Sequence, residues 1–263
     1  MKNNNNSNLI DVTSDRRAKI IDEIEQKGVV KVKDLSNLFG VSEVTIRNDL
    51  VQLEKKNILV RAHGGAMKFQ RVGVDFELDV KSKKHLIEKQ KIGKKAADLI
   101  KDGDTIILDS GTTTLQIAKY VSHINDLTVI TNSLNIAGQL VDNRNVKVIV
   151  PGGNLRRKSL SLIGSIAENS IKNYYCDKVF LGVDGIDTNY GISTPNSEEA
   201  HLNNIMINIS REVIVVTDSS KFLRKSFAFI APLSKINTII TDSKIPNDEK
   251  LFLEKSKINL FIV

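Results

Sequence analysis

The sequence predicts two parts. One is a small helical unit closed by a β-hairpin; the other is a larger α/β unit built on a mainly parallel sheet. Three observations carry this. Between Ser14 and Phe69 apolar residues recur at helical spacing, punctuated by Gly28 and Gly40. From about His85 onward, short runs of Ile, Val and Leu alternate with amphipathic stretches. Strands alternating with helices form parallel sheets covered on both faces. The 263 residues suffice for two ordinary domains.

Each element has a local reason. Residues 1–13 are polar and asparagine-rich, and are expected to be a disordered arm. Ser14 can cap a helix over Asp15–Lys27, with Ile20, Ile21 and Ile24 on one side and Gly28 as its stop. A second helix is expected over Lys31–Phe39. Gly40 and Val41 turn the chain, and Ser42 caps a third helix over Glu43–Lys56 with Ile46, Leu50 and Leu53 as its core stripe. Leu59–Arg61 and Ala66–Phe69 read as strands joined at His63, Gly64 and Gly65. That order is a winged helix-turn-helix, spanning residues 14–70.

With Ile46, Leu50 and Leu53 turned inward, the third helix must present Glu43, Thr45, Arg47 and Asn48 to its surroundings. Arg and Asn side chains make two-point contacts with guanine and adenine edges in the major groove. Ser42 and Thr45 suit phosphate contacts at the helix start, and Lys55, Arg61 and His63 suit the flanking backbone. The implied partner is double-stranded DNA. Charge agrees: residues 1–95 hold 20 Lys/Arg against 13 Asp/Glu, while residues 96–263 hold 18 of each. The whole net charge of +7 therefore lies in the N-terminal part.

Residues 71–84 lack clean periodicity and read as a linker. The second domain is expected over 85–263, opening on a helix that carries Leu86, Ile87, Ile92, Ala96, Leu99 and Ile100. Strands follow at Thr105–Leu108, Leu127–Ile130, Val146–Val150, Lys178–Leu181, Val213–Val216, Thr238–Ile240 and Leu260–Val263. Asp109, Ser110, Gly111, Thr112, Thr113 and Thr114 link the first of these to a helix expected over Thr113–Tyr120. In parallel sheets ligands bind at the carboxyl ends of strands. Gly111 permits close backbone approach, and free amides, hydroxyls and the helix dipole favour an anion such as phosphate. The Walker ending is absent. Other strand ends carry similar loops: Thr131 and Asn132, Gly152 and Gly153, Gly182–Gly185, and Asp218–Lys221. Lys221 is a suitable point charge for a phosphate, and Asp184 and Glu198 can accept from hydroxyls or an amine. Arg156, Arg157 and Lys158 read equally well as a solvated loop or as ligand contacts.

Several function classes fall away. No apolar run approaches membrane-spanning length, and the N-terminus has no secretory h-region. With Cys176 as the one cysteine, no internal disulfide forms; a cytoplasmic setting is expected. The four histidines are scattered without metal-ligand spacing, so neither metal nor cofactor is expected. No nucleophile elbow is present.

In combination, these residues resemble the DeoR family. Val41–Leu50 with His63, Gly64, Gly65 and Ala66 is similar to its winged helix. Asp109–Thr114, Thr131 and Asn132, Gly152 and Gly153, Phe180–Asp184 and Asp218–Phe222 are similar to its C-terminal effector domain. The resemblance runs from about Ser14 to Val263. Asn48 stands where most members show Arg. That departure joins Leu155–Ser159, Asn173 and Tyr174, Ser193, Thr194 and Asn196, Glu199–Asn203 and Val216–Ser220. Together they resemble the branch that represses N-acetylgalactosamine and galactosamine utilisation. The resemblance implies a homo-oligomeric (dimeric or tetrameric) regulator, usually a repressor, of a sugar-catabolic operon. It also implies an effector domain sharing its fold with ribose-5-phosphate isomerase and coenzyme A transferases, and an effector such as an amino-sugar phosphate or tagatose phosphate. By the same resemblance the phosphate sits on Ser110–Thr114, with Lys221 and Asp184 nearby. An isomerase-like enzyme and an activator are the competing expectations; an isomerase has no use for the winged helix.

Overall fold

The computed structural model describes residues 5–55, 58–62, 64–68 and 75–263. The chain divides into two compact units, Met1–Arg71 and Val72–Val263.

The first unit runs α1 (Asn5–Lys27), β1 (Val29–Lys31), α2 (Val32–Phe39), α3 (Glu43–Lys55), β2 (Leu59–Ala62) and β3 (Gly65–Lys68). The arm expected over 1–13 is helical from Asn5, so Ser14 lies inside α1 rather than at its start. Extending an established helix fixes one residue per hydrogen bond, which is far cheaper than nucleating one. Gly40 ends α2 in the left-handed conformation (φ 62°), its N–H bonded to the Ser36 carbonyl. The Ser42 hydroxyl accepts from the Thr45 amide at 3.2 Å, the expected cap. Ile20, Ile24, Val30, Leu35, Ile46, Leu50, Leu53 and Leu59 form one core. The hairpin gains a third strand that the sequence did not announce, giving the antiparallel order β1-β3-β2. Gly65 makes this possible: a Cβ there would lie 2.0 Å from the Val30 carbonyl oxygen. A second unannounced feature is a charge clamp. Arg16 and Arg17 of α1 reach the two oxygens of Asp49 on α3 at 2.6 and 2.7 Å, and Asp49 is only 2% exposed.

The second unit begins earlier than expected. The stretch read as a linker over 71–84 contains α4 (Leu78–Lys83), which precedes α5 (Leu86–Ala97). Asp75 pairs with Arg156, the Leu78 amide donates to the Lys158 carbonyl at 3.1 Å, and Lys81 pairs with Asp184. These contacts are polar and distant in sequence, so they leave no periodic trace.

There follow β4 (Thr105–Leu108), α6 (Thr114–Ala118), β5 (Leu127–Ile130), α7 (Leu134–Leu140), β6 (Val146–Ile149), β7 (Asn154–Arg156), β8 (Ser161–Ile163) and α8 (Ser165–Ile171). Then come β9 (Cys176–Leu181), β10 (Gly185–Asp187), β11 (Gly191–Thr194), α9 (Ser197–Asn208), β12 (Ser210–Val216), β13 (Ala228–Ala231), β14 (Thr238–Thr241), α10 (Asn247–Lys255) and β15 (Asn259–Ile262). All seven expected strands lie in one parallel sheet, ordered β15-β14-β12-β9-β4-β5-β6. Alternation sorts their side chains into two cores: Val179 and Leu181 go to one face, with Ile107 and Val215, and Phe180 to the other, with Ile106, Leu108 and Ile214. The hairpin β7-β8 and the antiparallel sheet β10-β11-β13 sit outside this sheet and were not anticipated.

The strand order sets where a crevice opens. From β4 the chain builds outward through β5 to β6, then returns to the other side of β4 with β9 and continues to β12, β14 and β15. The order reverses between β4 and β9. At such a reversal the connections leave in opposite directions and open a crevice beyond the carboxyl ends of the strands.

Candidate functional site

The carboxyl ends of β4 and β9 are Asp109–Gly111 and Gly182–Asp184. The two loops are neighbours: a Cβ on Gly182 would lie in ordinary contact with the Gly111 Cα, at 3.9 Å. Asp109 braces the two loops. Its carboxyl accepts from the Gly182 amide at 3.2 Å and from the Asn203 side chain at 3.4 Å, and it is 2% exposed. Burial pushes this acid up to about 8, against the opposing Gly182 hydrogen bond. Thr114 is also committed, its hydroxyl donating to the carbonyls of Asp109 and Gly111, both at 2.9 Å.

What remains of the loop is uncommitted. The main-chain N–H groups of Ser110, Gly111, Thr112 and Thr113 donate to no group among the described residues. The hydroxyls of Ser110, Thr112 and Thr113 likewise have no partner there. Backbone donors left open over consecutive residues form a concave nest for an anion. The helix behind it is shorter than expected, Thr114–Ala118 rather than Thr113–Tyr120, so the amides and not a long helix dipole are the attraction.

Lysines gather at Asp184, two residues beyond Gly182. Asp184 holds two ammonium groups, Lys81 at 3.0 Å and Lys221 at 3.4 Å. Burial raises Asp184, but these two lysines outweigh it and hold the carboxyl well below the usual range. Lys89, buried on α5, donates to the carbonyls of Lys81 and Lys84 at 2.5 and 2.7 Å. Burial pushes it down to about 8; the Asp218 charge opposes this, while Lys221 and Lys81 add to it. Burial likewise raises Asp218, yet Lys221 and the Ser220 hydroxyl bring it below its ordinary value. Lys81 and Lys89 escaped the sequence reading because they lie more than 90 residues from Asp184 along the chain.

The remaining expected ligand residues serve one strand further out. Thr131 is buried and its hydroxyl accepts from the Ser133 amide. Asn132 exchanges bonds with Leu162: its carbonyl accepts the Leu162 amide at 2.8 Å and its side-chain amide donates to the Leu162 carbonyl at 3.3 Å. Gly153 (φ 112°) is required by packing, since a Cβ would lie 2.6 Å from the Ile163 carbonyl oxygen. At Gly152 (φ 76°) a Cβ would make an ordinary contact with the Ile166 side chain at 3.7 Å, so the left-handed backbone is what favours glycine there. The two glycines lead directly into the β7-β8 hairpin. On it Arg156 and Ser159 meet Glu199, at 3.4 and 2.5 Å. Glu198 is exposed. Among the described residues no group of three His, Cys, Asp or Glu is placed to hold a metal.

In the first unit, Ser42, Glu43, Arg47 and Asn48 are exposed and Thr45 is half-buried beside Ser42. Arg47 pairs with Glu43 one turn earlier at 3.0 Å. Lys55 is exposed, and Arg61 is held by Glu54 at 2.6 Å. His63 lies outside the described residues. Val44, 67% exposed on the first turn of α3, was passed over because a valine reads as core. On a groove-facing helix such a side chain can meet a thymine methyl.

Two family profiles cover the units: a DeoR-like helix-turn-helix domain over residues 16–71 and a DeoR C terminal sensor domain over residues 84–243. The chain belongs to the DeoR family. A candidate aga operon transcriptional repressor of Escherichia coli O157:H7 is 45% identical over 253 residues, covering 95% of this chain and 94% of that relative. The transcriptional repressor GlcR of Bacillus subtilis is 36% identical, covering 89% of each chain. Among solved structures, ribose 5-phosphate isomerase A of Methanocaldococcus jannaschii aligns at 18% identity and a TM-score of 0.39, over 51% of this chain and 53% of that one. At that level the likeness says nothing of activity. This DeoR-family chain is a helix-turn-helix transcriptional regulator with a sensor domain, and its relatives are regulators rather than enzymes. No helix among its described residues is long and apolar enough to cross a membrane.

Proposed function

We propose that this DeoR-family regulator is a cytoplasmic homo-oligomeric repressor of an amino-sugar catabolic operon, released from its operator by a phosphorylated sugar bound in the crevice between β4 and β9. The observation that carries this reading is the open nest of Ser110–Thr113, four amides and three hydroxyls without partners among the described residues. Lys81 and Lys221 meet on Asp184, two residues beyond Gly182, and Lys89 donates to the Lys81 carbonyl. A phosphoryl group supplies the acceptors and the charge that this set lacks. The rest of the sugar then extends towards Asp184 or towards Glu199 on the hairpin side. The amino-sugar assignment is supported by the printed name of the 45% identical relative. On the DNA side, Val44, Arg47 and Asn48 read bases, and Ser42, Lys55 and Arg61 meet the backbone.

Release follows if the sugar phosphate binds one state of the sensor domain better than the other, with coupling of about 1–3 kcal/mol, or roughly 5–150-fold in DNA affinity. The test is a gel shift of the full chain on its own upstream region. It is titrated with galactosamine 6-phosphate, its N-acetyl form, tagatose 6-phosphate and glucose 6-phosphate at constant salt, since phosphate contacts make DNA affinity salt-dependent. Release by one of these at low concentration, and not by the unphosphorylated sugars, is expected. A complex indifferent to all of them would overturn the reading.

A further inference from the structure

The antiparallel sheet β10-β11-β13 has one dry face and one that meets solvent. Register assigns each residue to a face. Ile186, Ile192 and Ala231 stand opposite one another and are wholly buried, so their row faces the core. The next row, Gly185, Ser193 and Phe229, faces the other way. Residues 223–227 run over part of that outer face: the Ser226 amide donates to the Ser193 hydroxyl at 2.8 Å, and a Cβ on Gly185 would lie 2.5 Å from the Arg224 carbonyl oxygen. From 223 to 229 exposure alternates with period two. Leu223, Lys225, Phe227 and Phe229 are exposed, and Arg224, Ser226 and Ala228 are half-buried. On a solvated sheet face the outward positions are ordinarily polar. Here Leu223, Phe227 and Phe229, with Tyr190 in the turn between β10 and β11, are 59–66% exposed. The Lys225 ammonium lies 3.1 Å from the Tyr190 ring centroid, which joins that turn to the same surface. Leu223 is also strained, a leucine in the left-handed conformation (φ 55°).

We propose that this apolar surface, centred on Phe227 and Phe229, is where a second copy of the chain docks. The proposal rests on the homo-oligomeric part of the reading above and is independent of what binds in the crevice. Charge identifies the occupant. A two-fold contact sets one surface against itself, so that surface must carry both members of any ion pair it makes. This one does: Lys225 stands on the outer segment and Asp187 at the end of β10, 3.6 Å apart within one chain. Turned about a two-fold axis, the lysine of each copy meets the carboxylate of the other. The balance of charge is a poor match for a polyanion, which would call for cations alone. The other Asp187 oxygen accepts from the Asn189 and Tyr190 amides at 3.0 and 3.2 Å, so the turn is set before any partner arrives and little ordering remains to be done on docking. Aromatic side chains flanked by charge are the usual anchors of protein interfaces. Pairing also brings two winged helices together, as two half-sites require.

The experiment is sedimentation velocity of the full chain without DNA over a range of concentrations, with hydrogen exchange at a low and a high concentration. The unmodified chain is expected to associate, and its amides over residues 223–229 to exchange more slowly at the high concentration. Phe227→Ser and Phe229→Ser are each expected to raise the dissociation constant about thirtyfold, because a two-fold contact loses the side chain twice. Lys225→Glu, which sets carboxylates against one another, is expected to weaken association about tenfold. Leu223→Gly relieves the left-handed backbone, so it is expected to weaken association with an unchanged circular dichroism spectrum, which separates lost docking from misfolding. Tyr175→Ser, at an equally bare aromatic on the connection between α8 and β9, is expected to leave association within about twofold. Association that Phe227→Ser and Phe229→Ser leave unchanged, or that Tyr175→Ser weakens as much as they do, overturns the proposal. A chain that stays monomeric at every concentration overturns it together with the homo-oligomeric reading, while the crevice reading is decided separately by the gel shift.

Discussion

Replacing Asp49 by Ala tests whether the DNA-reading helix is held in place by charge. Asp49 is 2% exposed, and its two oxygens take one guanidinium each, from Arg16 and Arg17 at 2.6 and 2.7 Å. Removing one member of a fully buried ion pair costs about 3–5 kcal/mol, because the partner is left charged and unsolvated. Here the partners are 13% and 30% exposed, so water recovers part of their solvation. A loss of about 2–3 kcal/mol is the consequence. A unit of this size has a total stability of only a few kcal/mol, and each kcal/mol moves its midpoint by about 4–8 °C. Calorimetry of the full chain should therefore show the winged-helix transition falling by about 10–20 °C, with the sensor-domain transition unmoved. Operator affinity should fall with it, while sugar-phosphate binding stays unchanged. A winged-helix midpoint that stays put would mean that the Ile20, Leu35, Ile46 and Leu50 core positions α3 unaided, and the clamp argument would be wrong.

Other perturbations separate the two units further. Arg47→Ala should weaken operator binding by about 1–3 kcal/mol and relax base preference at one position, read by gel shift on a set of operator variants; an unchanged footprint would remove Arg47 from the base-reading set. Thr112→Ala removes one of the unpartnered hydroxyls of the nest, and should leave DNA binding intact while raising severalfold, to roughly tenfold, the sugar phosphate needed for release. A normal release curve in that variant counts against the nest. Asp109 gives a pH test. Its acid is raised from 3.8 to about 8 in the folded chain, so the folded state holds a proton that the unfolded state gives up. Its contribution to stability is fully present below about pH 4 and is lost as the pH rises to 8, with a slope of at most about 1.4 kcal/mol per pH unit. Asp109→Asn keeps the shape and the acceptor for the Gly182 amide, with the Asn203 amide turning over to match. Urea unfolding from pH 5 to 9 should show a shallower fall for the variant, and parallel profiles would place the proton elsewhere.

What the sequence made legible follows the range of the interaction that records it. The seven parallel strands are read to within a few residues because each is a local run of β-branched residues that both faces of the sheet bury, as at Thr105–Leu108 and Val213–Val216. The cap at Ser42 and the stop at Gly40 are legible for the same reason, since capping bonds span three or four residues. The nest at Ser110–Thr113 could be nominated because polar residues with a glycine directly follow a strand. Its neighbours could not. That β9 lies beside β4 is a fact of strand order, and nothing in Asp109–Thr114 or Phe180–Asp184 taken singly says that the two loops touch. The charged groups are the extreme case. Lys81 meets Asp184 across 103 residues, Arg156 meets Asp75 across 81, and Arg16 meets Asp49 across 33. A lone lysine or aspartate has the same local signature whether it is solvated or buried against a partner, so the sequence puts Asp75 and Lys81 in a linker, leaves Arg156 between solvated loop and ligand contact, and says nothing of Arg16 with Asp49. Yet they join α1 to α3 and set the charge around Asp184. The scaffold of this regulator is therefore written in short-range pattern, while the parts that tune it are written in pairs that only the folded chain brings together.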